Sequence, residues 1–302
     1  MGRNFYFTPT TFIHMSKVKP ITRKTFQFRY SGRSSDYIAP SFGFGCLYEC
    51  SYCYMKRHKP TGLDYATNIN DILTEINAHA AFADVEKPNQ THDKYITYDI
   101  ACNEDFALHS KYYDWVRIFE FFRDHPTAMA TLATKVIPEA FLKFNPKKKV
   151  RIRFSLMPEV IRKIVEPNTA PIVDRIKAIN DFKACGYDVH INFSPVIVYK
   201  DWLEDYSELF ALVNGIVEKQ YKSSVLAEVI FLTHNIDKHK YNLAKNIPGE
   251  DLLWRPDWQE HKVSQYGGKN LRYKTELKSK MIIEFKKLHK SIIPWNKIRY
   301  IF

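Results

Sequence analysis

Between Ile38 and His234 the chain alternates six strand-like segments with helix-like ones, and few folds accommodate that rhythm. The strand-like segments are 38–44, 95–101, 128–134, 150–154, 189–193 and 225–232, the first weakened by Pro40. Arg151 and Arg153 alternate with Val150, Ile152 and Phe154, and Val189, Ile191 and Phe193 alternate in the same way. Between them lie helical patterns. Asn68 is placed to cap a helix whose apolar face is Ile69, Ile72, Leu73 and Ile76. Trp115 to Phe122, Ile172 to Phe182 and Trp202 to Val213 repeat the spacing, and Gly186 is placed to stop the second of these. Such a chain forms a doubly wound sheet or a full or partial barrel of parallel strands, and both put their active site at the C-terminal strand ends. Residues 235–274 break the rhythm with the turn signals Pro248-Gly249, Arg255-Pro256 and Gly267-Gly268. A last helix around 277–289 and a strand at 297–302 follow.

The residues just past each strand therefore converge on one mouth. They are Cys46, Cys50 and Cys53, then Cys102 with Glu104 and Asp105, then Lys135, Ser155, Ser194, and Thr233 with His234. Any one of them is explained by a strand end meeting solvent. A set led by a cysteine cluster is not.

Composition narrows the class. Of 302 residues, 45% are hydrophobic and 26% charged, which excludes disorder as the main state; only 10 are Gly, which excludes a collagen-like chain. No run approaches the roughly 20 apolar residues of a membrane span, and the first residues lack a signal peptide's apolar stretch, so a cytoplasmic location without membrane association is expected. Lys plus Arg is 45 against 33 Asp plus Glu, a net charge of +12. That favours an anionic partner such as nucleic acid, with plain solubility as the alternative. Five cysteines, an odd and low count, argue against a disulfide scaffold.

Three of those cysteines fall within Gly45-Cys46-Leu47-Tyr48-Glu49-Cys50-Ser51-Tyr52-Cys53-Tyr54, spaced C-x3-C-x2-C. Three thiolates on one loop suit three irons of a 4Fe–4S cluster and leave the fourth iron open for chemistry. Gly43 and Gly45 would let backbone approach the cluster. Three other readings compete: buried thiols on one helix face, structural zinc with His58 as fourth ligand, or a disulfide with a spare thiol.

The loop also resembles the radical S-adenosylmethionine superfamily, and more closely the spore photoproduct lyase family. Cys50-Ser51-Tyr52-Cys53-Tyr54-Met55 is similar to that family's Cys-His-Tyr-Cys-Tyr-Leu. Ala101-Cys102-Asn103-Glu104-Asp105, Thr134-Lys135, Arg151-Ile152-Arg153-Phe154-Ser155 and Glu166-Pro167-Asn168-Thr169 are similar to further family motifs, and the likeness runs from about Ile38 to Phe302. It implies an α/β fold, a partial (β/α)6 barrel at 38–234, preceded by an N-terminal extension (1–37). A C-terminal extension (235–302) would add a hairpin, a helix and a terminal strand. It implies a 4Fe–4S cluster on Cys46, Cys50 and Cys53. S-adenosyl-L-methionine would be held by Lys135, Ser155, Glu104 and Asp105. A cross-linked thymine pair in DNA would be the substrate, and Cys102 the hydrogen donor, with Tyr52 and Tyr54 in the hydrogen relay. An electron donor such as a flavodoxin or ferredoxin, and a monomeric enzyme, also follow from it.

The chain departs from the family at informative places. A serine of the cofactor site is Glu104, and the loop histidine is Ser51. The hairpin's Arg-Tyr-Gly is Gln265-Tyr266-Gly267, where Gln265 and Tyr266 are the expected substrate contacts and a neutral amide replaces a guanidinium. Two further readings follow: the same radical chemistry on another substrate, or a basic nucleic-acid-binding protein with structural zinc, using Trp254 and Trp258 to stack on bases.

Overall fold

The six apolar runs become strands that pair in the order in which they occur. The computed structural model describes residues 18–31, 33–82, 91–263 and 267–302. Its strands are β1 (Val18–Ile21), β2 (Arg29–Tyr30), β3 (Tyr37–Ile38), β4 (Gly43–Gly45), β5 (Leu63–Ala66), β6 (Ile96–Asp99), β7 (Ala128–Thr134), β8 (Val150–Ser155), β9 (Asp188–Val196), β10 (Ala227–Phe231), β11 (Thr233–His234), β12 (Gln259–Val263), β13 (Lys269–Tyr273) and β14 (Ile298–Ile301). Its helices are α1 (Met55–His58), α2 (Ile69–Phe82), α3 (Phe106–His109), α4 (Trp115–Asp124), α5 (Glu159–Val165), α6 (Ile172–Ala184), α7 (Trp202–Ile216), α8 (Lys219–Lys222), α9 (Ile236–Ala244), α10 (Glu250–Leu253) and α11 (Thr275–Ile292).

The main sheet runs β14-β10-β9-β8-β7-β6-β3-β2. Every pairing from β3 across to β14 is parallel, and only β2 lies antiparallel to its neighbour. The curled sheet with helices outside is the partial barrel expected. Its C-terminal strand ends open on one side.

Four local expectations change. The first strand is interrupted: β3 is followed by Pro40, which has no N–H to extend the ladder, and the chain resumes at β4 in a second small sheet, β1-β5-β4. Asn68 precedes α2 but does not spend its side-chain oxygen on the helix. That oxygen accepts from Arg23 N at 2.8 Å, while the amide donates to Arg23 O and Asp71, tying the N-terminal segment to the barrel. The arginines of β8 do not face solvent. All six residues of β8 are buried, because one sheet face packs on helices and the other lines the barrel interior. Arg151 therefore pairs with Asp188 at 2.6 Å, and Arg153 with Asp99 and Glu228 at 2.7 and 3.1 Å.

The fourth change is in the polar segment after β10, which holds two short helices: α9 precedes the Pro248-Gly249 turn, and α10 lies between it and Arg255-Pro256. β12 and β13 form the hairpin, and its tip at 264–266 lies outside the described residues, with Gln265 and Tyr266. Gly186, at φ +89°, does end α6: Gly186 N donates to Lys183 O and Tyr187 N to Phe182 O. No helix among the described residues is long and apolar enough to cross a membrane.

Candidate active site

The cysteine loop enters from β4. Gly45 sits at φ +111°, and a Cβ there would meet Gly62 O at 2.4 Å; a Cβ on Gly43 would meet Tyr113 Oη at 2.2 Å and the Glu104 carboxylate at 2.5 Å. At both positions neighbouring protein leaves no room for a side chain. The loop is held from three sides: Ser51 N donates to Val165 O at 2.9 Å, Ser51 Oγ to Pro248 O at 2.8 Å, and Asn242 Nδ2 to Ser51 O at 2.9 Å.

All five cysteines are free, so the reading of a disulfide with a spare thiol does not hold. Cys46, Cys50 and Cys53 line one cavity of about 370 Å³. His58 lies in a different chamber beside Arg57, away from a zinc position with the cysteines. Among the described residues, the one group tight enough for a single ion is His234, His239 and Glu250; the three thiols form no such group. Their wider spacing suits a polynuclear cluster rather than one zinc. Burial pushes the Cys46 thiol up to about 12 and Cys50 well above its usual value, so an incoming metal must displace protons here.

The same cavity takes in Tyr52, Tyr54, Cys102, Glu104, Asp105, Lys135 and Ser155. It thus brings together every expected site residue except Gln265 and Tyr266. Ser194 and Thr233 also line it, whereas His234 turns away to Glu250 at 2.8 Å. Cys102 follows β6. The Tyr54 phenol donates to the Cys102 carbonyl and lies 3.7 Å from its sulfur. Burial and the neighbouring Asp99 both push the Cys102 thiol up, keeping its proton on sulfur. Tyr52 is held differently: its phenol donates to the buried Glu166. Arg175 fixes the other Glu166 oxygen at 2.9 Å and also donates to Ser155 O at 2.8 Å.

The two acidic residues expected at the cofactor are largely occupied by the protein. Asp105 caps α3 through Leu108 N at 3.2 Å and accepts from Thr134 Oγ1 at 2.8 Å and Lys135 N at 3.0 Å. Glu104 accepts from Tyr113 Oη at 2.8 Å and His109 Nδ1 at 2.9 Å. Because His109 Nε2 accepts from Leu47 N at 3.3 Å, Glu104 is linked to the cysteine loop through that ring. Burial raises the Glu104 carboxyl. Burial alone would lower Lys135, but Glu166, Cys50 and Asp105 outweigh it and keep the ammonium charged.

Two cavity-lining atoms, Asn192 Oδ1 and Arg153 Nε, are buried without a hydrogen-bond partner among the described residues. A second chamber of about 740 Å³ adjoins the first and shares Tyr52, Tyr54, Met55, Cys102 and Thr233 with it. Its wall carries Arg23, Arg29, Arg57 and His58.

The family model described as spore photoproduct lyase matches residues 16–302. The chain belongs to the spore photoproduct lyase family. It is similar to the spore photoproduct lyase of Bacillus subtilis (strain 168), 25% identical over 261 residues, covering 84% of this chain and 73% of that protein. A solved spore photoproduct lyase complexed with dinucleoside spore photoproduct shares the fold at a TM-score of 0.82, with 20% identity over 94% of this chain and 82% of that one. A double variant with bound AdoMet and dinucleoside spore photoproduct superposes equally well, at a TM-score of 0.82, 19% identity and the same coverage.

Within this spore photoproduct lyase fold, sequence reasoning missed Glu166 as the partner of Tyr52, Asn192 in the cavity wall, and Arg23 in the outer chamber. Asn192 was findable: it lies two residues before Ser194, on the strand face opposite Ile191 and Phe193. Arg23 was not, because it arrives from outside the barrel. Trp254 stacks on His239 at 4.0 Å and Arg255 covers Trp258 at 4.1 Å, so both tryptophan rings are engaged within the chain.

Proposed function

We propose that this enzyme reverses a thymine-dimer-type spore photoproduct in DNA by radical chemistry. The observation that carries the reading is the Tyr54–Cys102 pair: it lies on the wall shared by the thiol-lined cavity and the basic outer chamber. Cys46, Cys50 and Cys53 would hold the 4Fe–4S cluster, and Lys135, Ser155 and Asn192 would contact S-adenosylmethionine. When bound, these groups supply a carbon-centred radical that takes a hydrogen atom from substrate.

The chain's own residues do the rest. Cys102 donates a hydrogen atom to the product radical: its S–H bond breaks and a C–H bond forms. Tyr54, at 3.7 Å, is within reach to return a hydrogen atom to that sulfur: its O–H bond breaks as S–H re-forms, and the phenol would be refilled from the methyl carbon of the cleaved cofactor. Glu166 and Arg175 hold Tyr52 against the cavity wall. Arg23 and Arg57 offer guanidinium groups to the phosphates flanking the lesion. The +12 charge favours the same polyanion. An external electron donor such as a flavodoxin or ferredoxin, a monomeric state and a cytoplasmic location complete the proposal.

The test is anaerobic incubation of the iron-loaded protein with dithionite, S-adenosylmethionine and a dinucleotide spore photoproduct. Restored thymine dinucleotide is the expected result. Gln265, standing where the family carries arginine, favours a second reading in which the substrate differs. Cofactor cleavage without repair would select it.

A further inference from the structure

Two lysines are buried behind the cysteine loop, and neither meets a carboxylate within ion-pairing distance among the described residues. Lys56, on α1, is 3% exposed and donates to Cys46 O at 3.0 Å. Lys238, on α9, is 2% exposed; its ammonium has no hydrogen-bond acceptor among the described residues and lies 4.9 Å from the Tyr241 ring centre. Neither side chain lines either chamber. α9 packs against α1, and its Asn242 reaches the loop backbone at Ser51.

An ammonium held largely away from water with no anion beside it is costly. Burial pulls Lys238 below the usual lysine range; Cys53, Glu250 and Cys50 oppose that, and Lys56 adds to it. Glu250 is the nearby carboxylate, but it is already taken by His234, His239 and Asn242. The remaining groups that oppose it are the Cys53 and Cys50 thiols, and a thiol that ligates metal does so as a thiolate. A cluster held by three thiolates gains one more negative charge on one-electron reduction, and local charge is among the determinants of its potential.

We propose that Lys238, supported by Lys56, is the built-in counter-charge of the cluster, raising its reduction potential and favouring the loaded over the iron-free protein. This rests on the cluster reading of Cys46, Cys50 and Cys53. Lys238 is the position to test, since Lys56 also holds loop backbone. Lys240, on the same helix, is exposed, so its charge is screened by water and serves as a control.

The experiment compares wild type, Lys238→Met, Lys238→Arg and Lys240→Met. An anaerobic dithionite titration followed by electron paramagnetic resonance gives the potential, and thermal unfolding is recorded with and without iron. Lys238→Met should shift the potential to a more negative value, while Lys238→Arg and Lys240→Met stay near wild type. Iron-free Lys238→Met should melt no lower than wild type but gain less on loading. A Lys238→Met potential at the wild-type value, or matched by Lys240→Met, overturns the proposal. So does a Lys238→Met protein that fails to fold without iron, since the lysine then serves the apo structure. Absence of a cluster signal in wild type sinks the cluster reading itself; a normal wild-type signal with an unmoved variant sinks this inference alone.

Discussion

The Tyr54 phenol oxygen lies 3.7 Å from the Cys102 sulfur and donates to the backbone carbonyl of that same residue. The tyrosine thus touches both the sulfur and the backbone that aims it. Cys102→Ala removes a small, half-buried thiol and should cost about 1 kcal/mol of stability or less. Cofactor cleavage should persist while normal product falls and adducts of the unquenched product radical accumulate. In deuterated water the wild type should place deuterium in the product. Unchanged product with no deuterium in either protein would make Cys102 a packing residue. Tyr54→Phe should keep the fold but slow product formation.

Each of Cys46→Ala, Cys50→Ala and Cys53→Ala should lose iron and cofactor cleavage together. Iron and sulfide analysis after anaerobic reconstitution checks this. A full cluster in all three variants would sink the assignment.

Lys135→Ala should weaken S-adenosylmethionine binding by about 2 kcal/mol, roughly thirtyfold, the loss of one charge-assisted hydrogen bond. Cluster assembly should survive, because Arg175 still neutralises Glu166. Equilibrium binding measured on the iron-loaded variant decides it.

Arg151 on β8 and Asp188 on β9 are paired in register, with 2.6 Å between Nε and Oδ2. Burial alone would raise the Asp188 carboxyl, but His190, Arg151 and Lys183 hold it well below the usual carboxylate range. A carboxyl depressed by folding contributes stability above its unfolded value and loses it as pH falls through the folded one. Asp188→Asn should therefore cost about 3 kcal/mol at neutral pH. The gap should narrow below about pH 4, where the unfolded carboxyl takes up a proton, and close as pH falls through the lower folded value. Denaturant unfolding at several pH values measures it.

Arg23 lines the outer chamber, and its Nε is buried without a partner among the described residues. If it meets a phosphate, Arg23→Ala should weaken DNA binding and make the salt dependence shallower by about one unit of log–log slope. A lowered affinity with an unchanged slope would assign Arg23 to packing.

The sequence by itself determined the parallel sheet and the company its strand ends keep. Apolar periodicity is local, so β7, β8, β9 and β10 were legible in the residues that form them. Parallel strands must point their C-terminal ends the same way, so the cysteine loop, Cys102, Lys135 and Ser155 had to share a mouth. Spacing says which face a side chain occupies, not which group answers it. Only the tertiary structure turned Glu104 to His109 and Tyr113, and Tyr52 to Glu166, 114 positions along the chain. Arg153 read as the polar face of a strand and became a buried ion pair, because in a curled sheet the inner face sees other strands rather than water. Nothing in the run Lys238-His239-Lys240 marks Lys238 as a buried residue. The packing of α9 on the cysteine loop buried it, and hydrogen bonding and desolvation depend on such non-local contacts, which no local pattern encodes.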